Sequence, residues 1–555
     1  MNRKQRRVAQ SNLQEAAKRH RRIVASRPDD AQAHNELACL LLQQGQLQEA
    51  AAHFARSISL MPELLEQYRS VVATLLNVNP TIRMGLPRAA SAWPRELPAE
   101  EILGAAGFAA LTHDPLLRCM LESATVRDLN LERYLIALRR IMLDIASGDA
   151  AAAYRTDESV LAFGCMLARQ CFLNEYVFAI SPQESEKVSH LREELVQALA
   201  AGATIPPLLP VVTAAYFPLS ELAQSQSLLN RPWPAAVGGL LAQQIREPLE
   251  ERQLRDTIAH LTGIEDGVSV LVRQQYEENP YPRWVVAASN RGPAQVSEYL
   301  RQQFPMASFR NLASDGSIDI LIAGCGTGQQ ATVTARRFAQ ARVLAFDLSL
   351  ASLSYAKRMA AVFGVRNIEY AQADILKLDS LDRTFDIIEA SGVLHHLADP
   401  FEGWRRLLSK LRPGGFMHVG LYSKTARGQI RAAREFLAGK GVGSSTQDIR
   451  KWRQELLSTP MRSVADYADF FSTSECRDLL FHVQEHQLTL PEIEDFLRPH
   501  SLQFLGFELA AGIAANYRLR FPEDLSMTNL ASWQTFETEN PSTFASMYQF
   551  WIQKP

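Results

Sequence analysis

The sequence lacks an excess of charge of either sign, a paired cysteine motif and an unbroken apolar run of membrane length. Over 555 residues the formal net charge is −2, so no chain-wide field draws the protein to nucleic acid or to an acidic membrane. The six cysteines, Cys39, Cys119, Cys165, Cys171, Cys325 and Cys476, form no CxxC pair. This argues against a zinc site or a disulfide framework and for a reducing, cytoplasmic setting. Cys165 and Cys171 fall on different faces of one helix, as core residues do. The long uncharged stretch Leu195 to Ser220 has Pro206, Pro207 and Pro210 in its middle, where a spanning helix would lose hydrogen bonds. It reads as a buried helix–loop–helix connection, not a membrane span. The basic start, MNRKQRRVAQ, has no apolar segment behind it and does not read as a secretory signal. Its cations (Arg3, Lys4, Arg6 and Arg7, then Lys18, Arg19, Arg21 and Arg22) have no interleaved aromatics and read as a solvated tail and helix face, not a nucleic-acid patch.

What is present falls into about three parts, in keeping with the length. Residues 1–80 carry a repeat. In AQAHNELACLLLQQGQLQEAAAHFARSISLMPE, Leu37, Ala38 and Leu41 share one helix and Gly45 marks a turn. Ala50 and Phe54 lie on a second helix, and Pro62 ends the unit. Small residues at Ala38 and Ala50 let the two helices pack closely. The pattern, with its echo 34 residues back at Ala16 and Pro28, resembles a tetratricopeptide repeat. Half of an earlier repeat is expected over 11–28, and a further first helix at Val71, Val72 and Leu75 before Pro80. So short an array cannot bury its own faces and is expected to dock on the adjoining part of the chain. Residues 81–264 read as an all-helical domain. Apolar residues recur at helical period over 131–146 and 159–180, with no strand–turn alternation and no chemical constellation.

At Ile318 the pattern changes. Short β-rich runs alternate with helical ones: IDILIA, VLAFDLS, IEYAQAD, FDIIEASG and GFMHVGLYS. This predicts an α/β domain, a parallel sheet with helices on both faces. The first run leads into a turn with Gly324, Gly326 and Gly328. The dinucleotide spacing GxGxxG would put its third glycine at Gln329, so the turn is weak ground for NAD. It still lets backbone approach a ligand closely. The second run ends in Asp347, 19 residues after Gly328, where a carboxylate can accept both hydroxyls of a ribose. The third ends in Asp374, placed for an adenine amino group.

Five such elements in order, over Ile318–Ser423, resemble a class I S-adenosylmethionine-dependent methyltransferase. The resemblance implies a Rossmann-like seven-stranded sheet with an antiparallel last strand, residues 502–509 and 545–554 being the sixth and seventh strands. The methyltransferase domain would then occupy 265–555, with helical insertions at 424–490 and 510–544. The implied cofactor is S-adenosyl-L-methionine. It would be held by the turn of Gly324, Cys325, Gly326, Thr327 and Gly328, by Asp347 and Leu348, by Asp374 and Ile375 at the adenine, and by Ser391 after the fourth strand. Members usually carry an acid two residues before the first glycine, which helps hold the cofactor's amino group; here that residue is Ile322. The chain as a whole resembles bacterial proteins that join tetratricopeptide repeats to a methyltransferase domain, an architecture that leaves the acceptor open.

The acceptor is expected near the end of the fourth strand. There SGVLHHLADP offers His395 as a general base, with His396 packing structurally beside the loop. In QYEENPYPRW, Gln274 to Trp284, prolines on both sides fix Tyr281 in an extended segment. That segment either caps the pocket or, with Tyr276 and Trp284, anchors two domains. HVQEH, His482 to His486, matches a zinc-protease pattern, but no third ligand is identifiable and no metal is expected. The acceptor is a protein or peptide recruited by the repeats, or a small molecule. A third reading, favoured by Ile322, is an adaptor that keeps the fold without turnover.

Overall fold

The structure, a computed structural model, describes all residues except 1–2, 62–63, 65–70, 73, 149–157, 288–291 and 313–315. Eight strands form one sheet among the described residues: β1 (Ala259–His260), β2 (Ile318–Ala323), β3 (Ala341–Asp347), β4 (Ile368–Gln372), β5 (Phe385–Ser391), β6 (Leu411–Leu421), β7 (Gln503–Phe507) and β8 (Tyr548–Gln553). Their order is β1-β4-β3-β2-β5-β6-β8-β7. Strands β1 to β6 run parallel, and β8 lies antiparallel between β6 and β7.

The sheet is buried on both faces because its strands carry apolar residues at odd and even positions alike. On β2, Leu321 and Ala323 enter the core with Trp404, Phe550 and Trp533, while Ile318, Ile320 and Ile322 enter the opposite core with Phe338, Leu353 and Trp551. Seven strands were expected. The eighth, β1, is two residues long and lies in the stretch read as all-helical. No alternation announces it, and what makes it a strand is the open edge of β4. Ala259 and His260 pair with Ala371 and Gln372, and Leu261 donates its N–H to the Gln372 carbonyl at 2.9 Å.

The N-terminal half is helical. Ala31–Gln43 and Leu47–Leu60 form an antiparallel pair across Gly45, whose φ of +74° suits a residue without Cβ. Ala38 and Ala50 are fully buried in their contact, with Leu37, Leu41 and Phe54. The helix Arg3–Ser26 packs on the first of the pair, and Pro115–Ser123 packs on the second. Arg21 of the basic run binds Glu49 through two nitrogens, both at 2.8 Å. The expected helix at 71–75 lies partly outside the described residues; Val72 and Leu75 are buried. The helical run expected over 159–180 ends at Leu173, because Glu175 and Tyr176 turn the chain with φ of +54° and +60°. The uncharged stretch folds as the end of Pro182–Ala200, a loop, and Leu208–Ala214. No helix among the described residues is long and apolar enough to cross a membrane.

The insertion over 424–490 does not pack as an appendage of the sheet. Ile430, Leu437, Ile449, Leu456, Phe470, Cys476 and Leu480 share one core with residues from Ala17 to Ile245. Buried polar contacts fasten the two parts. Arg453 donates Nη1 and Nη2 to the Glu132 carboxylate at 3.2 and 2.9 Å, both residues almost wholly buried. Thr473 Oγ1 donates to the Glu175 carbonyl at 2.8 Å. The helical half and the insertion therefore form one body that lies over the C-terminal ends of the parallel strands. That is where ligands bind in open α/β sheets.

Candidate functional site

A cavity of about 320 Å³ opens between the strand ends and this helical body. Its floor comes from the turns after β2 to β5: Gly324, Cys325, Gly326, Asp347, Leu348, Asp374, Ile375 and Ser391. The turn after β2 cannot be built with side chains at its glycines. A Cβ on Gly326, at φ +51°, would lie 2.6 Å from the Tyr281 carbonyl oxygen. A Cβ on Gly324, at φ +66°, would lie 2.4 Å from Val393. Of the turn residues, Thr327 and Gly328 do not line the cavity, a correction to the expected cofactor set. Thr327 is fully buried and faces backwards: its N–H donates to the Tyr281 carbonyl at 3.3 Å and its hydroxyl to the Pro282 carbonyl. Gly328 is packed against Ala356.

Asp347 holds the turn from below. Its Oδ2 accepts from Gly326 N at 2.8 Å and its Oδ1 from Ser349 N at 2.9 Å. Burial raises its carboxyl above the usual range, and those backbone donors oppose the rise. Asp374 accepts from Leu376 N at 2.9 Å through Oδ1, and its buried Oδ2 meets no donor at hydrogen-bond geometry, the Ser269 hydroxyl lying near the carboxylate. A buried acceptor without a donor costs free energy unless a ligand supplies one. An adenine amino group would do so, and the glycine turn leaves room where a Cβ would stand. The residues present therefore fit S-adenosylmethionine.

Ile322 is buried and pairs in register with Glu389 of β5. The acid missing from β2 is thus present one strand away. Glu389 accepts from Thr334 Oγ1 at 3.0 Å and from Gln330 Nε2 at 2.7 Å. Gln330 itself lines the cavity.

The roof is made of Tyr276, Tyr281, His396, Tyr422 and Asp478, with Val272, Met547 and Gln549 at the sides. Tyr281 both caps and anchors. It stacks on Tyr276 with centroids 6.3 Å apart, and its carbonyl holds Thr327. Trp284 is buried and donates Nε1 to the Thr327 carbonyl at 2.9 Å. The two histidines differ from expectation. His395 does not line the cavity: its ring lies 3.8 Å from that of Tyr422, and both ring nitrogens are buried without partners. His396 does line it. Its Nδ1 lies 2.8 Å from the Gln484 carbonyl, so Nδ1 carries the proton and Nε2 keeps its lone pair. Burial, opposed by Asp478, holds the His396 ring below its ordinary value and so in the neutral form.

His396, Asp478 and His482 bring ligand atoms within 4.8 Å of one another, but their hydrogen bonds do not suit a metal. Gln484 N donates to His482 Nδ1 at 3.1 Å, so the neutral ring carries its proton on Nε2. That nitrogen lies 3.2 Å from the Tyr276 hydroxyl, which donates to Asp478 Oδ1 at 2.6 Å. Ligation through Nε2 would require an imidazolate. The group is a hydrogen-bond chain that fixes Tyr276 and Asp478. In HVQEH, Glu485 is spent on Arg427 at 2.8 Å and Arg434 at 3.0 Å.

Asp478 and Tyr422 carried no local signal in the sequence. Asp478 sits on the helix Thr473–Phe481 of the insertion and reaches the cavity only through tertiary packing.

A family model described as a methyltransferase domain matches residues 320–415. Among curated proteins the chain is similar to an uncharacterized protein of Synechococcus, 28% identical over 267 residues, 46% of this chain and 63% of that one. It is also similar to the malonyl-[acyl-carrier protein] O-methyltransferase of Halalkalibacterium halodurans, 34% identical over 200 residues, 36% of this chain and 69% of that one. The chain thus spans under two thirds of the Synechococcus relative's length. Among solved structures, PKMT2 from Rickettsia typhi in complex with AdoHcy is 18% identical, with a TM-score of 0.36, over 46% of this chain and 52% of that one. With the family model lying on the strands that floor the cavity, and a methyltransferase matched over 69% of its length, the chain belongs through its C-terminal half to the class I S-adenosylmethionine-dependent methyltransferases.

Proposed function

We propose that the protein transfers a methyl group to an acceptor bound under the helical roof, with His396 as the general base. When bound, S-adenosylmethionine supplies a methyl group already activated on a sulfonium sulfur. Asp347 and the glycine turn hold the ribose side, Asp374 Oδ2 accepts from the adenine, and Gln330 backed by Glu389 stands in for the acid absent at Ile322. His396 Nε2 takes the acceptor's proton. Tyr281 and the Tyr276–Asp478 pair exclude water and orient the acceptor. The observation that carries the reading is the meeting, in one cavity, of the strand-end acids Asp347 and Asp374 with a neutral histidine, His396.

The N-terminal helices, read as tetratricopeptide repeats, recruit the acceptor. What supports this is their paired-helix packing, with none of their residues lining the cofactor cavity.

The test is transfer of labelled methyl from S-adenosylmethionine into an extract that lacks the protein. Label transfer that is lost in His396→Ala, with cofactor binding kept, is the expected result. Cofactor binding without transfer to any fraction would leave the adaptor reading in its place. Removing residues 1–60 is expected to lower transfer to the natural acceptor and spare cofactor affinity; equal transfer would end the recruitment reading.

A further inference from the structure

Beside the cofactor cavity lies a second one of about 170 Å³. It shares Tyr281, Pro282 and Gln329 with the first and is lined further by Arg127, Arg283, Asp469 and Glu475. None of the floor acids or glycines reaches it. Its charges do not balance. Arg127 pairs with Glu475 at 2.7 Å and Arg283 lies 3.8 Å from Glu175. Among the described residues Asp469 has no hydrogen-bond or ion-pair partner. Across Tyr281, the Asp478 carboxylate accepts, among the described residues, from the neutral hydroxyls of Tyr276 at 2.6 Å and Tyr422 at 3.5 Å. Its basic neighbour His482, 3.9 Å away, is kept neutral by burial and by His396. Arg427 turns its guanidinium to Glu485 and covers the Tyr422 ring. Two carboxylates therefore line the neighbouring cavities without an ion-pair partner of their own, the nearby Arg127 and Arg427 being engaged with Glu475 and Glu485.

Unpaired buried carboxylates are costly, and a ligand of opposite charge removes the cost. Burial first, then Glu475 and Asp478, hold the Asp469 carboxyl up to about 7. Burial first, then Asp469, Asp478 and Glu475, oppose ionisation of Tyr281, which lines both cavities. A carboxylate or phosphate acceptor would meet repulsion here, and a neutral hydroxyl would leave Asp469 unpaired. The donor's own sulfonium does not serve Asp469, because the second cavity holds none of the floor residues.

Resting on the methyltransferase reading above, we infer that the acceptor is an amine that enters as an ammonium ion, guided by Asp469 and Asp478 past the Tyr281 ring and deprotonated by His396. An ammonium also gains from the face of an aromatic ring. The proton passes from nitrogen to His396 Nε2. The nitrogen lone pair then forms the N–C bond while the donor's C–S bond breaks, its electron pair remaining on sulfur as a thioether. The product is the methylated ammonium.

The inference is tested first by binding, apart from turnover. Butylamine, butanol and butyrate are titrated into the full-length protein with S-adenosylhomocysteine present. Butylamine is expected to bind at least about tenfold tighter than the other two, and Asp469→Asn to remove about tenfold of that preference. Asp469→Asn breaks no side-chain hydrogen bond or ion pair among the described residues, and S-adenosylhomocysteine affinity in this variant reports an intact fold. Equal binding of butanol or butyrate, or an unchanged preference in Asp469→Asn, overturns the inference. The labelled-methyl experiment gives the second readout. Label on nitrogen, in free amines or in lysine side chains, supports it and tells the two sources apart; label on oxygen or carbon overturns it. Absence of any transfer, with butylamine still preferred, would count against the methyltransferase reading and not against the amine site.

Discussion

The floor and the roof of the cavity are built in opposite ways. The floor is made of turns that come after consecutive parallel strands, each within a few residues of the strand that places it. The roof is assembled from segments far apart in the chain: Tyr276 and Asp478, joined by a 2.6 Å hydrogen bond, are 202 residues apart. The difference teaches where each function resides. A parallel sheet places its C-terminal turns by topology alone, so the donor side belongs to the fold. The acceptor side depends on how the insertion over 424–490 docks on the N-terminal helices, and so it belongs to this chain.

The two meet at His396, which the turn after β5 carries and the Gln484 carbonyl of the insertion holds at 2.8 Å. His396→Ala is expected to reduce single-turnover transfer by about a hundred- to ten-thousandfold, the range of a lost general base, with cofactor affinity unchanged. Because its ring is held below the ordinary histidine value, the base form persists as the solution becomes more acidic. Native turnover should therefore stay level through about pH 6.5, where an exposed histidine would begin to fail. A variant as fast as the native protein places the base elsewhere.

The second way to break the comparison is to unfasten the roof. Glu132→Gln leaves the buried Arg453 guanidinium without its charge partner, at a cost of about 3–5 kcal/mol. Denaturant titration should show that loss. Transfer should fall more than cofactor affinity, since Glu132 and Arg453 touch only the helical body. Equal losses in both would show that floor and roof are not separable.

On the floor, Asp347→Asn is expected to weaken S-adenosylhomocysteine binding about ten- to a hundredfold by calorimetry. Asparagine offers one acceptor where Gly326 and Ser349 now use two oxygens. Unchanged affinity would remove Asp347 from the cofactor site. Asp469 is expected to give the smallest effect. Its carboxyl is raised in the folded protein, to about 7. The folded state therefore holds the proton more tightly than the unfolded one between about pH 4 and 7, and stability falls as pH rises through that window. Asp469→Asn should flatten this slope and stabilise the protein at about pH 8 relative to the native one by on the order of 1 kcal/mol, seen as a higher thermal midpoint. A midpoint that rises with pH in the native protein over the same window would contradict the assignment.

The sequence by itself determined the parallel sheet, the glycine turn and the strand-end acids Asp347 and Asp374, because these arise from local chemistry. Apolar runs of strand length, glycines with no room for Cβ and an acid at each strand end are written within short windows. It also carried the paired N-terminal helices in Ala38, Gly45 and Ala50, where small residues and a left-handed turn mark a close contact. Only the tertiary structure decided the rest. It turned His396 and not His395 to the cavity, since adjacent residues in a short turn point in different directions and the docking of Tyr422 and Gln484 selects between them. It made Ala259–His260 a strand because β4 offered an open edge. It brought Asp478 over the donor site and Asp469 into the cavity beside it, neither marked by a motif, because the apolar faces of the 424–490 helices are buried by residues from the other end of the chain. Burial of that kind is a property of the whole packed core, and no local window of the sequence contains it.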